Sequence, residues 1–158
     1  MEIKLHTIRN GCGSTAMASV DDVLNAFRRE DKERVLSLLS TVRVHPSTIR
    51  DEYNSTLLHY TSGHGWLDIC QLLVDVYQLD PHCRDSDGRT ALHWACYNNH
   101  HEVVRYLVQY CCTDPLVKDK LGYTPLDRSR GESRQLLQEI IGKCVFVYMY
   151  FLLFTKLL

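Results

Sequence analysis

Three stretches of this 158-residue chain carry the same residue types in the same order at a 34-residue step. Asp51, Asp85 and Asp119 open the units, Thr56, Thr90 and Thr124 follow, and then Leu58, Leu92 and Leu126. Asp80-Pro81 returns as Asp114-Pro115 in the same register. A period of this length makes each unit one supersecondary element that buries its apolar face only by stacking on its neighbours. Function in such an array belongs to a surface built across units, because no single unit encloses a cleft.

The order of residues within a unit says what the element is. Asp85-Ser-Asp-Gly88 and Asp119-Lys-Leu-Gly122 read as tight turns with Gly at the positive-φ position, and Asn54 holds that position in the first unit. A short helical stretch follows, opened by Thr-Leu, Thr-Ala or Thr-Pro, with Pro125 suited to a first helical turn. A longer second helix carries Ile69, Cys70, Leu73 and Val74 in the first unit and Val103, Val104, Leu107 and Val108 in the second. Leu136, Leu137, Ile140 and Ile141 keep the i, i+3, i+4 spacing in the third, one residue early. Upstream, Ser19 stands as an N-cap before Val20, Val23, Leu24 and Phe27, and Asp31 before Val35, Leu36, Leu38 and Leu39. That pair has no turn motif and reads as a capping helical pair. The predicted helices lie near 19–29, 31–40, 57–64, 67–77, 91–98, 101–110 and 132–142, with turns at 51–55, 85–89 and 119–123.

Asp85-Ser-Asp-Gly-Arg-Thr-Ala-Leu-His-Trp-Ala-Cys96, with Thr56-Leu-Leu-His59 and Thr124-Pro-Leu-Asp127 at equivalent places, resembles the ankyrin repeat over about residues 51–141. The resemblance implies an all-α solenoid of stacked helix–turn–helix repeats with short β-turn tips. It also implies a structural role for His59 and His93, each imidazole tying its Thr to neighbouring backbone. Asp127 replaces the motif His, as suits a terminal repeat. Gln78-Leu79 and Cys112-Thr113 stand where the family places Gly-Ala, so those helix ends are expected to be strained or closed differently. The resulting division is an N-terminal segment 1–18 expected to be flexible, a helical cap at 19–48, and repeats at 51–84, 85–118 and 119–143. A hydrophobic tail follows at 144–158.

Composition narrows the function classes. A net charge of −1 without a dense Lys/Arg run gives no field for nucleic acid. Seven cysteines with no Cys-x-x-Cys spacing fit a reducing, cytoplasmic setting better than a disulfide framework. Residues 1–18 hold no apolar core of a secretory signal, and Met17 stands as an alternative start. Gly11-Cys-Gly-Ser-Thr15 lacks the Lys of a phosphate loop, and Asn54-Ser-Thr56, a formal glycosylation sequon, falls in a turn. His93 and Cys96 share a helix face, but no four ligands show zinc spacing, and no Ser/His/Asp or Cys/His constellation is legible. The expectation is no enzyme, no cofactor and no metal, with an enzyme or metal protein built on a pocket joining His59, His93 and Cys96 kept as one alternative.

Surface remains. Tyr60, Trp94 and Arg128 follow each motif His or its Asp equivalent and recur 34 apart, so stacking makes them a column; His64, Tyr97 and Asn98 stand beside it. Tyr53, Arg89 and Tyr123 add hydrogen-bonding and aromatic groups at the turn tips. Aromatic and Arg side chains dominate interface hot spots. These nine residues are the candidate partner-binding set, with packing between adjacent helices as the competing role for Tyr60 and Trp94. The sequence therefore points to an intracellular adaptor or scaffold module for another protein. Thirteen of the 15 residues from Cys144 to Leu158 are apolar, which keeps a membrane-tethered scaffold open as the alternative. Two other readings stand beside it: a segment whose partner surface is absent from this stretch of chain, and a helix folded back on the last repeat.

Overall fold

The computed structural model describes residues 18–155, with side chains over 18–143. The expectations placed on the N-terminal segment up to Met17 lie outside the described residues, as do the side chains of the tail. The described residues form eight α-helices: α1 (Val20–Arg28), α2 (Lys32–Leu39), α3 (Leu57–His64), α4 (Leu67–Gln71), α5 (Ala91–Tyr97), α6 (His101–Gln109), α7 (Pro125–Arg128) and α8 (Gly131–Thr155). They stack as pairs, α3 against α5 and α5 against α7 in one layer, α4 against α6 and α6 against α8 in the other. The only pairing of extended residues among those described is the bridge Arg50–Thr56 at the base of the first tip. The architecture is an all-α solenoid.

Side-chain caps start α1, α2, α3, α5 and α7 where the sequence places them. The Ser19 hydroxyl accepts from Asp22 N–H at 3.1 Å, and the Asp22 carboxylate accepts from Ser19 N–H at 2.9 Å, a reciprocal cap. Asp31 accepts from Arg34 N–H at 2.9 Å. In the repeats, Thr56 and Thr90 donate their N–H to Nδ1 of His59 and His93, each at 3.1 Å. Thr124 N–H goes instead to the Asp127 carboxylate at 2.8 Å.

The core runs the length of the stack. Phe27, Ile49, Leu57, Leu58, Ile69, Leu73, Leu92, Leu107 and Leu137 are all essentially without solvent contact. Each such side chain stabilises the fold by roughly 1.5–3 kcal/mol relative to exposure. Leu36, read as part of the apolar run of α2, is 41% exposed instead. α1 packs on both α2 and α3, which sets the first helical pair against the first repeat.

Four departures from the expected elements have local causes or positions. A 3-10 turn at Pro46–Thr48 links α2 to the first tip, seeded by Pro46. α4 passes into a π-helical turn at Leu72–Val76 before the repeat ends. α7 is a single turn, since Ser129 is already extended and its hydroxyl donates to Leu126 O at 2.6 Å. α8 runs to Thr155 rather than ending near 142. Gln78 and Cys112, the non-Gly helix ends, both take left-handed φ of +53°, the conformation the family reserves for Gly. Among the described residues no helix is long and apolar enough to cross a membrane.

Candidate functional site

The three turn tips share one hydrogen-bonding plan. One carboxylate oxygen of Asp51 accepts the N–H of Tyr53 and Ser55 at 2.9 and 2.7 Å. Asp85 repeats this with Asp87 and Arg89 at 2.9 and 2.8 Å, and Asp119 with Leu121 and Tyr123 at 3.0 and 2.9 Å. The second oxygen accepts from the side chain nine residues on. Tyr60 donates its hydroxyl to Asp51 at 2.7 Å, Trp94 its Nε1–H to Asp85 at 3.1 Å, and Arg128 its Nη2–H to Asp119 at 2.7 Å. The column found in the sequence is thus a column of donors, chemically unlike but aimed at one acceptor each. Burial alone would raise the carboxyls of Asp51 and Asp119. Hydrogen bonds outweigh it: from the Tyr60 hydroxyl and the Ser55 and Tyr53 amides at Asp51, and from the Tyr123 amide and the Arg128 guanidinium at Asp119. Both carboxyls are held below the usual range.

Tyr60, Trp94 and Arg128 are all half-buried, so each anchors a tip while keeping part of its surface open. The Trp94 ring lies tilted beside Tyr60 at 5.7 Å and meets the His59 ring edge-on at 5.8 Å. Gly63 permits this approach, since a Cβ there would lie 3.0 Å from the indole. A groove of about 410 Å³ opens at Trp94, lined by Arg89, His93, Trp94, Tyr97, Asn98 and Arg128. Five of the nine residues chosen from sequence meet there. Tyr97 is 57% exposed, and Asn98 is fixed by its side-chain N–H donating to Gly63 O at 2.9 Å. Arg89 pairs with Asp87 at 3.0 Å, and the Arg128 guanidinium lies 4.6 Å over the Tyr123 ring.

The other candidates sit apart. Tyr60 adjoins the groove only through Trp94. His64 turns toward the cap, hydrogen-bonded to Phe27 O at 3.0 Å and beside the Trp66 ring at 4.7 Å. Tyr53 is 65% exposed at the first tip. Sequence reasoning missed Arg130, whose guanidinium stands 5.7 Å over the Tyr97 ring, because it falls in the shortened junction of the third repeat, out of register. A second, shallower groove of about 580 Å³ lies on the opposite layer between α4 and α6, lined by Asp75, Glu102, Arg105, Tyr106 and Tyr110 among others.

The motif histidines and the two buried cysteines serve the structure. His59 and His93 accept at Nδ1 from their Thr, and that assigns the proton to Nε2, which donates to Arg89 O at 3.1 Å and Tyr123 O at 3.2 Å in the next repeat. Desolvation holds both imidazoles neutral, below their ordinary pKa. Burial pushes the Cys70 thiol up to about 11 and the Cys96 thiol up to about 12, which suppresses the nucleophilic thiolate. Among the described residues no group of three His, Cys, Asp or Glu side chains is placed to hold a metal.

The family model described as ankyrin repeats, three copies, matches residues 24–119 and 58–138. The first match begins within α1, so it takes in the helical pair read as a cap. Mouse ARF GTPase-activating protein GIT2 is 34% identical over 110 residues, 68% of this chain and 15% of that one. The mouse mitochondrial liver isoform of glutaminase is 47% identical over 49 residues, 31% of this chain and 8% of that enzyme. These likenesses concern a small part of each relative. Among solved structures, a chain of the complex of yeast ribosomal protein Rps3 with its chaperone Yar1 superposes with a TM-score of 0.64 at 22% identity, covering 77% of this chain and 89% of that one. That likeness is one of fold.

Proposed function

The chain belongs to the ankyrin-repeat family, and from that premise we propose that residues 19–143 form a module that holds a partner protein along the column side of the stack and its tips, without catalysis of its own. The cap at 19–48 and the repeats at 51–84, 85–118 and 119–143 are its units. One observation carries the reading: the second and third repeats together build a groove whose walls are Trp94, Tyr97, Asn98, Arg89 and Arg128. Residue types that bury large area at modest entropy cost are gathered where two units meet. The 49 residues shared with glutaminase are 8% of that enzyme, so its chemistry carries no weight here. The 110 residues matched in GIT2 are 15% of that protein, and partner binding is the role that an array of stacked repeats supports.

A capture experiment with the full chain tests the face. Tyr97→Ala should leave the melting temperature within a few degrees and remove most of the captured partner, since Tyr97 is mainly exposed. Tyr110→Ala on the opposite layer, 77% exposed, should retain it. The reverse pattern would move the site to the other face. Trp94 is the poorer probe, because its indole also holds the Asp85 tip and the first repeat.

A further inference from the structure

We propose that the groove at Trp94 takes an acidic segment of the partner, an extended stretch in which an Asp or Glu side chain lies next to an apolar one. This deepens the reading above and rests on it. The argument comes from which polar groups the groove has left to offer. Asp85 and Asp119, the carboxylates nearest its floor, are 7% and 6% exposed, and each already accepts three hydrogen bonds. Their charge is turned inward and spent on the tips. What faces an incoming chain is mainly cationic or aromatic: Arg89 and Arg128 in the lining, Arg130 at the edge above Tyr97, and the Trp94 and Tyr97 rings, beside the neutral Asn98 amide and with Asp87 as the one carboxylate, on Arg89, that a ligand must displace.

The guanidinium groups have capacity to spare. Arg128 reaches Asp119 through Nη2, which leaves its other amino group for a ligand. Arg89 is held by Nη1 to Asp87, whose side chain is 62% exposed. An exposed ion pair of that kind contributes little and is readily exchanged for a better-placed carboxylate. A carboxylate matches the planar fork of Arg in two parallel bonds, and the neighbouring rings favour an apolar side chain beside it. His93, neutral and already bonded through both ring nitrogens, adds no competing charge. The whole chain carries a net charge of −1, so selection arises from contact within the groove and not from a long-range field.

The test uses three fluorescently labelled peptide pools of equal length on the full chain. One holds Asp or Glu beside Phe or Leu, one the Asn/Gln counterparts, and one the Lys counterparts; binding is followed by anisotropy at low and physiological salt. The acidic pool should bind about tenfold more tightly than the amide pool, a margin expected of one well-placed charged contact. Arg89→Gln should erase most of that margin, Tyr97→Ala should weaken acidic and amide pools alike, and Tyr110→Ala should change nothing. Arg128 is left intact, because its loss would also release Asp119 and blur folding with binding. Amide or Lys peptides that bind as tightly as the acidic ones, in a Tyr97-dependent way, would overturn the acidic preference and leave the interaction face standing. Binding of any pool that ignores Tyr97, or no binding at all, would overturn the groove itself.

Discussion

His93 and Asp127 occupy one motif position in consecutive repeats, and their hydrogen bonds separate two tasks that the motif usually merges. Both close the first turn of their helix, His93 through Nδ1 and Asp127 through its carboxylate, on the N–H of the Thr three residues earlier. Only His93 then reaches onward, donating Nε2–H to Tyr123 O in the next repeat. His59 does the same toward Arg89 O. A carboxylate has no proton to offer a further carbonyl, so the relay of repeat-to-repeat bonds stops at Asp127. Capping a helix and welding a stack are therefore separable, and the second repeat does both while the third does one.

The largest effect should come from the apolar half of the second repeat. Leu107 is fully buried between α4 and α8 in the stack, so Leu107→Ala should cost about 2–5 kcal/mol. With so few interfaces to share the loss, the array should separate into partly unfolded halves, visible as a broadened or biphasic melt. An unchanged melting temperature would remove Leu107 from the core.

The polar comparison comes next. His93→Ala orphans the Thr90 amide and the Tyr123 carbonyl and should cost about 1–3 kcal/mol. Asp127→Ala loses a cap alone, about 0.5–2 kcal/mol. Thermal or urea unfolding of the two variants side by side should rank His93 first. Equal losses would mean the onward bond adds nothing to stacking.

How much of this was legible follows from the physics of each signal. The period, the caps and the buried faces are local or periodic, so Thr56, Thr90, Leu58 and Leu92 announced themselves. The column of Tyr60, Trp94 and Arg128 was equally visible, and each member carries a donor. Its target was not, because whether a residue nine positions on reaches back to the tip depends on how the helix leaves the turn. Arg130 was invisible since the third repeat shortens its helix junction and breaks register. The extent of α8 was also unreadable: after Gly142 the apolar run contains no Gly or Pro to stop a helix.

Acid should expose the same difference between repeats. His59 and His93 have pKa values lowered by burial, whereas the unfolded chain titrates near the ordinary value of about 6.5. The unfolded state then binds more protons below that pH, so the stabilisation is complete above about pH 6.5 and is lost as pH falls toward the folded value. Each His contributes a slope of at most about 1.4 kcal/mol per pH unit. The Asp51, Asp119 and Asp127 carboxylates, also lowered, act only in a separate window below about pH 4. Urea midpoints between pH 7.5 and 5 should fall in the parent protein and fall less in His93→Gln, the variant that gives the second repeat an uncharged side chain. A flat profile in the parent would mean that these imidazoles are not held neutral.

The smallest effect lies at the joint between the two repeats compared. Cys112 follows α6 with φ of +53°, a conformation that costs an L residue roughly 1–2 kcal/mol through its Cβ. Its side chain is exposed, so replacing it removes no core packing. Cys112→Gly relieves the strain, and the extra freedom of Gly in the unfolded chain takes part of the gain back, leaving a net stabilisation of about 0.5–1 kcal/mol. Gln78 holds the equivalent place at the end of the first repeat with the same φ, but its side-chain N–H donates to Asp75 O at 2.7 Å. Gln78→Gly gives up that bond and should gain less than Cys112→Gly, or nothing. If both variants rise equally, the Gln78 bond is idle in solution. If Cys112→Gly falls, the joint to the third repeat is not the strained hinge its φ describes, and the weaker hold on that repeat lies in Asp127 alone.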